Sequence, residues 1–177
     1  MKKIGIFILI FFIYFFIYFL QANFFNWFTI KGVQPNLFIL LTLFVSIFMG
    51  KKIGMTLGII FGLYTDFLFS NTIGISAILM GAIGLCGDYL DKKFSKDSKI
   101  TIVFMGGIVT AIYEFVMLLY RIFKLSCTWN ILAFITILGI EIIYNTFIII
   151  IFYPLIHKFG VYTESIFKNK KMLPRYF

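Results

Sequence analysis

The sequence predicts an all-α, polytopic integral membrane protein, a bundle of six transmembrane helices with both termini in the cytoplasm. Three observations lead there. Of the 177 residues, 62% are hydrophobic and only 13% charged, with a mean hydropathy of +1.03, whereas about a quarter of the residues of a soluble domain are charged. The apolar residues come in continuous runs and not in the alternation of barrel strands, and a helix of ~20 such residues crosses the hydrocarbon while satisfying its own backbone. Finally, nearly all the charge falls in the breaks between the runs.

The first run, Ile4 to Leu20, follows Met1-Lys2-Lys3. It exceeds the apolar core of a signal peptide and no small-x-small cleavage site follows, so it reads as a retained anchor. The outer connection after it, Gln21 to Gln34, sets Phe24, Phe25, Trp27 and Phe28 beside Asn23, Asn26 and Lys31, and such a segment is expected to lie along the membrane surface. The second run, Asn36 to Gly50, is short, ~22 Å of helix against a ~30 Å hydrocarbon core. It is expected to need snorkelling by Lys51 and Lys52 at its inner end. The third and fourth runs are Ile53 to Ser70 and Ile73 to Leu90. Asp88, Asp91 and Asp97 then mingle with Lys92, Lys93 and Lys96, with Asp88 and Lys92 at i, i+4 spacing, and read as a solvated helix end. The fifth run is Ile100 to Tyr120, the second outer connection Arg121 to Asn130 carries Trp129, and the sixth run is Ile131 to Tyr153. A basic, polar cytoplasmic tail over 157–177 follows, with His157 expected at the solvated edge. All of this forms one membrane domain over 1–177. Cys86 and Cys127 show no disulfide or metal spacing and are expected to pack.

The formal net charge of +9 would by itself admit nucleic acid, but its placement assigns it to the membrane. With the N-terminus inside, six crossings put Lys2, Lys3, Lys51, Lys52, Lys92, Lys93, Lys96, Lys99, Lys158, Lys168, Lys170, Lys171 and Arg175 in the cytoplasm, and only Lys31, Arg121 and Lys124 outside. This is the positive-inside partition, and the inner cations also suit anionic headgroups. Removing the short second span would place Lys51, Lys52 and the Lys92 to Lys99 cluster outside, so six spans are preferred to five. No nucleic-acid partner is expected.

Small residues recur every fourth position at Gly50, Gly54, Gly58 and Gly62, and the row continues through Asp66 and Ser70 to Gly74. Residues four apart share a helix face, and glycine lets backbones approach closely in lipid. The row is therefore a packing seam, either within the bundle or toward a second membrane protein. Asp66 lies on it in the outer half of the bilayer, where an ionisable group should face protein or a water-filled cavity and find a partner. Arg121, Lys124, or the backbone amides that open the fourth span near Thr72 to Gly74 could serve, and each would make Asp66 an architectural clamp. Glu114 and Glu141 are also intramembrane and expected to face inward. The three acids could instead line a cation path, as in a secondary transporter. No catalytic triad, Walker loop, HExxH, CxxC or glycine-rich nucleotide fingerprint is present, so no enzymatic activity, cofactor or metal is expected.

The segment Gln34-Pro35-Asn36-Leu37 leading into an apolar run, then Gly54-x-x-x-Gly58-x-x-x-Gly62-Leu63-x-x-Asp66 and, after a turn, Gly74-x-x-Ala77-x-Leu79, resembles the rod shape-determining MreD family. The resembling motifs cover Gln34 to Gly84; the rest matches in length, spans and basic tail. The resemblance implies a scaffold of the bacterial inner membrane that binds the single-span protein MreC. Through it the scaffold would connect MreB filaments to the peptidoglycan polymerase RodA and its transpeptidase. It also implies a fold similar to the substrate-binding subunits of energy-coupling-factor transporters. By carry-over, Pro35, Asn36, Gly54, Gly58, Gly62, Asp66 and Gly74 are the family-matching positions for partner binding or helix packing. A homo-oligomer is compatible with this reading. The alternative is a vitamin-like transport subunit using Asp66, Glu114 and Glu141, and an intramembrane enzyme comes third.

Overall fold

The computed structural model describes residues 2–69, 74–94, 96, 98–125 and 130–168. Six α-helices account for almost all of it: α1 (Lys2–Phe19), α2 (Leu37–Met49), α3 (Lys51–Phe69), α4 (Ile75–Lys93), α5 (Lys99–Leu125) and α6 (Ile131–Phe167). The expected runs thus each form one helix. Ser70, Thr72, Asp97, Cys127, Trp129, Lys170, Lys171 and Arg175 lie outside the described residues. Among the described helices, those over Lys2–Phe24, Lys99–Lys124 and Ile131–Phe167 are long and apolar enough to cross a membrane, and Leu37–Met49 is a shorter apolar helix.

α2 is the axis of the bundle. Twelve of its thirteen residues are buried, and Ile39, Leu43 and Ile47, spaced by four, are completely so. Its apolar neighbours come from both sides. Tyr14 of α1, Phe61 of α3 and Met80 of α4 pack with Phe38 and Val45, while Ile102, Met105 and Val109 of α5 and Ile149 of α6 pack with Leu40 and Leu43. Protein therefore surrounds the short α2 along nearly its whole length. Lys51 and Lys52 are exposed at the start of α3, and Gly50, at φ +93°, makes the corner between the two helices.

α1 is peripheral. It buries Ile6, Ile10 and Tyr14, one residue per turn, and leaves Phe11, Phe12, Phe15 and Phe16 more than half exposed, as suits lipid. Its anchor is Tyr14, whose ring stacks on Phe61 at 4.0 Å and whose hydroxyl donates to the Phe61 carbonyl at 2.9 Å. After α1 a π-helical turn, Leu20–Phe24, leads through turns to a tight reversal at Lys31 and Gly32, both at positive φ, closed by paired bonds between Ile30 and Val33. Trp27 stands 89% exposed there. Cys86 is also exposed, contrary to the packing role expected of it, because it falls on the outward face of α4 with Ile78, Leu85 and Tyr89.

α6 does not stop at Tyr153. It passes Pro154 and runs on to Phe167, so the first half of the expected tail is helix, ~55 Å in all at 1.5 Å per residue. The extension turns its small residues to the C-terminal end of α2. Gly160 lies against the Phe48 ring and Thr163 is buried beside it. His157 stacks on Tyr153 and meets Phe48 edge-on, so it is half-buried among rings and not solvated as expected.

Candidate functional site

The glycine row is spent inside the bundle. A Cβ on Gly54 would stand 2.6 Å from Ser46 Cβ and 2.9 Å from the Gly84 carbonyl oxygen. One on Gly58 would lie 2.8 Å from the Met80 carbonyl carbon and 3.0 Å from Thr42 Cγ2, and one on Gly62 would lie 2.6 Å from the Ala77 amide nitrogen. α3 therefore rests on the backbone of α4 and on the small side chains of α2. Gly84 and Gly87 return the favour from α4, each leaving no room for a Cβ. The Ser46 hydroxyl completes the three-way junction, donating to the Gly84 carbonyl and accepting from the Asp88 amide at 3.1 Å. In this chain the faces of Gly54, Gly58 and Gly62 are taken up by α2 and α4.

Asp66 ends the seam, 1% exposed. Its carboxyl group accepts from the amides of Gly74 at 2.8 Å, Ser76 at 3.0 Å and Ala77 at 3.4 Å. Of the expected partners the amides are the ones realised: Asp66 caps α4 from a neighbouring helix, where unsatisfied N–H groups and the helix dipole favour an anion. Gly74, at φ +108°, supplies the left-handed residue at the N-terminal cap.

Pro35 and Asn36 open α2. Pro35 is buried, and the Asn36 side chain accepts from the Ile39 amide as an N-terminal cap. The Asn36 amide itself donates to Asn145 Oδ1 at 3.0 Å, and Asn145 Nδ2 donates to Thr110 Oγ1 at 2.9 Å. This chain of bonds ties α2, α6 and α5 together at a buried level, and Asn145 is its centre, 1% exposed.

Next to it lies a cavity of ≈ 550 Å³, within the ~300–1,000 Å³ span of small-molecule sites. Its walls come from the connection after α1, the start of α2, Thr65 of α3, Ser76 and Met80 of α4, the stretch from Tyr113 to Arg121 of α5, and Glu141 of α6. Glu114 and Glu141 both face it, as does Arg121, two turns along α5 from Glu114. The two carboxyl groups and the guanidinium thus share one lining. Asp66 is not among the lining residues, so the three acids expected along one path divide into a cap and a pair. Gln21, Asn26 and Gln34 also line the cavity; the sequence set Asn26 in the surface connection and Gln34 in the family-resembling segment, and pointed to none of the three as a cavity wall.

At the opposite end, Lys168 donates to the Ile47 carbonyl at 2.6 Å and pairs with Asp88 at 3.2 Å and Asp91 at 3.0 Å. Lys96 pairs with Asp91 at 3.2 Å and Glu164 at 2.6 Å. These side chains are only 8–13% exposed. The expected solvated helix end is therefore a part-buried ion-pair network, because the extension of α6 folds over it. Among the described residues no group of acids, histidines and cysteines has the arrangement of a metal site.

The family model described as rod shape-determining protein MreD matches residues 1–162. The chain belongs to the MreD family. Comparison with curated proteins and with solved structures yields no match. The matched stretch takes in the glycine seam, Asp66, the Asn36–Asn145 tie and the whole cavity of this MreD-family chain. It stops inside α6, before Glu164 and Lys168 of the ion-pair network. Membership makes the chain a rod shape-determining membrane protein.

Proposed function

We propose that this MreD-family chain is a non-enzymatic, six-span scaffold of the bacterial inner membrane with both termini cytoplasmic. It binds MreC and thereby connects MreB filaments to the peptidoglycan polymerase RodA and its transpeptidase. The observation that carries the reading is the family match over 1–162. The partition of basic residues supports the orientation. The internal packing of Gly54, Gly58 and Gly62 supports a partner surface on the outward faces of the helices. Co-purification of the full chain with MreC tests the assembly, and a chain that inserts normally yet retains no MreC would refute it. For the topology, an impermeant thiol reagent applied to intact spheroplasts, in a variant with the native cysteines replaced by serine, should label Trp27→Cys and spare Lys51→Cys. The opposite pattern would invert the bundle.

A second reading, a substrate-binding subunit of a small-molecule transporter, is favoured by the cavity and by the fold similarity to energy-coupling-factor subunits that the family resemblance implies. Specific uptake of a vitamin-like solute dependent on this chain would put it ahead.

A further inference from the structure

The cavity carries a chemical preference that the scaffold reading does not use. Glu141 is 4% exposed, and its Oε1 has no hydrogen-bond partner among the described residues. The same holds for Gln21 Oε1 and Gln34 Oε1, and all three residues line the cavity. The orientation of the Gln34 amide is fixed by its neighbours. Asn26 Nδ2 donates to the Ala22 carbonyl at 2.5 Å, which turns Asn26 Oδ1 toward Gln34 Nε2 at 3.1 Å and leaves Gln34 Oε1 as an acceptor. Three buried acceptors without donors are costly in a low-dielectric interior, where an unmade hydrogen bond leaves the full desolvation penalty. A ligand rich in N–H donors answers all three.

The charges narrow the class further. Glu114 and Glu141 make the floor of the cavity acidic, and Arg121, exposed, stands at its rim on the same face of α5 as Glu114. Phe38, Met80 and Met117 give the remaining wall an apolar surface. An ammonium group suits the acidic, acceptor-lined floor. A phosphate suits the guanidinium, which binds phosphate through paired N–H donors.

We propose that the cavity binds a phosphoethanolamine group, its primary ammonium on Glu141, Gln34 and Gln21 and its phosphate toward Arg121. The group is carried either by an aminophospholipid of the adjoining leaflet or by a free small molecule. This goes beyond the scaffold reading and does not depend on MreC.

The test uses the full chain, purified in phospholipid-free detergent and titrated with short-chain phosphatidylethanolamine, phosphatidylcholine and phosphatidylglycerol. Phosphatidylcholine keeps the phosphate but has no N–H donor. It should bind at least tenfold more weakly than phosphatidylethanolamine, and so should phosphatidylglycerol, which lacks the cation. Glu141→Gln should lower phosphatidylethanolamine affinity about tenfold, and Arg121→Gln, at an exposed position where folding is not at stake, should lower it too. Displacement by free phosphoethanolamine at similar concentration assigns the site to a soluble ligand. Failure to displace, with the preference intact, assigns it to the lipid. Equal binding of the three lipids, or wild-type affinity in both variants, overturns the proposal.

Discussion

Substituting Gly58 by alanine sets two known effects against each other, and the structure decides the sign. Within a helix, glycine to alanine is favourable by about 1 kcal/mol through backbone entropy. At Gly58 the new methyl carbon would sit 2.8 Å from the Met80 carbonyl carbon and 3.0 Å from Thr42 Cγ2, with the Met80 carbonyl oxygen closer still. Carbon atoms reach their attractive minimum only at ≈ 3.5–4.0 Å, so α3 and α4 must part by the better part of an ångström. Backbone cannot yield as a flexible side chain does, and overpacking of this kind costs typically 1–3 kcal/mol. The separation also loosens Gly54 against Gly84 and Gly62 against Ala77, which lie one turn to either side. The expected net is a destabilisation of about 1–2 kcal/mol, and more for Gly58→Leu. The midpoint of thermal unfolding in detergent, followed by the fraction remaining monodisperse on gel filtration, should fall by several degrees. Gly5 is the control, since a Cβ there meets nothing within 4 Å. If Gly58→Ala matched Gly5→Ala or raised the midpoint, the close-packed seam would be wrong and the glycines would be free for a partner.

Asp66→Ala should leave the amides of Gly74, Ser76 and Ala77 without their acceptor and cost about 2–4 kcal/mol, because each buried amide left unpaired costs ~1–3 kcal/mol. Asp66→Asn, which keeps one acceptor, should lose less, and equal stability of the two variants in a thermal assay would deny the capping role. At the inner end, a double-mutant cycle on Asp91→Asn and Lys168→Met should give a coupling of about 1 kcal/mol or more. The pair is part-buried and belongs to a network, unlike an isolated surface pair. A coupling near zero would reduce the network to screened surface charge.

The helices were legible because apolar continuity and charged breaks are local properties. Their neighbours were not. In lipid every span is apolar all round, so composition does not separate α2, sealed in protein, from the peripheral α1. The Asp66 clamp was legible since the backbone amides that donate to it lie 8 to 11 residues along the chain. The ion pairs of Lys168 with Asp91 and of Lys96 with Glu164 were not, because the partners are 77 and 68 residues apart and meet only if α6 continues past Pro154. The cavity was half-legible. Glu114 and Glu141 stood out as charges in apolar runs, whereas Gln21, Asn26 and Gln34 were unremarkable polar residues until the fold placed them opposite those acids.

The central position of α2 also bears on how the molecule is made. α2 leaves the ribosome second, yet side chains of α5 and α6 help to bury Leu40 and Leu43, and the Ile47 carbonyl is capped by Lys168. Domains generally consolidate from the N-terminus during synthesis, but here the axis is laid down early and enclosed last. Until the final helix arrives, Asn36 has no Asn145 to hold. A nascent chain stalled after α4 would present that polar end and the bare flank of its axis to the insertion machinery, which makes completion of α6 the step that separates a finished molecule from a substrate for membrane quality control.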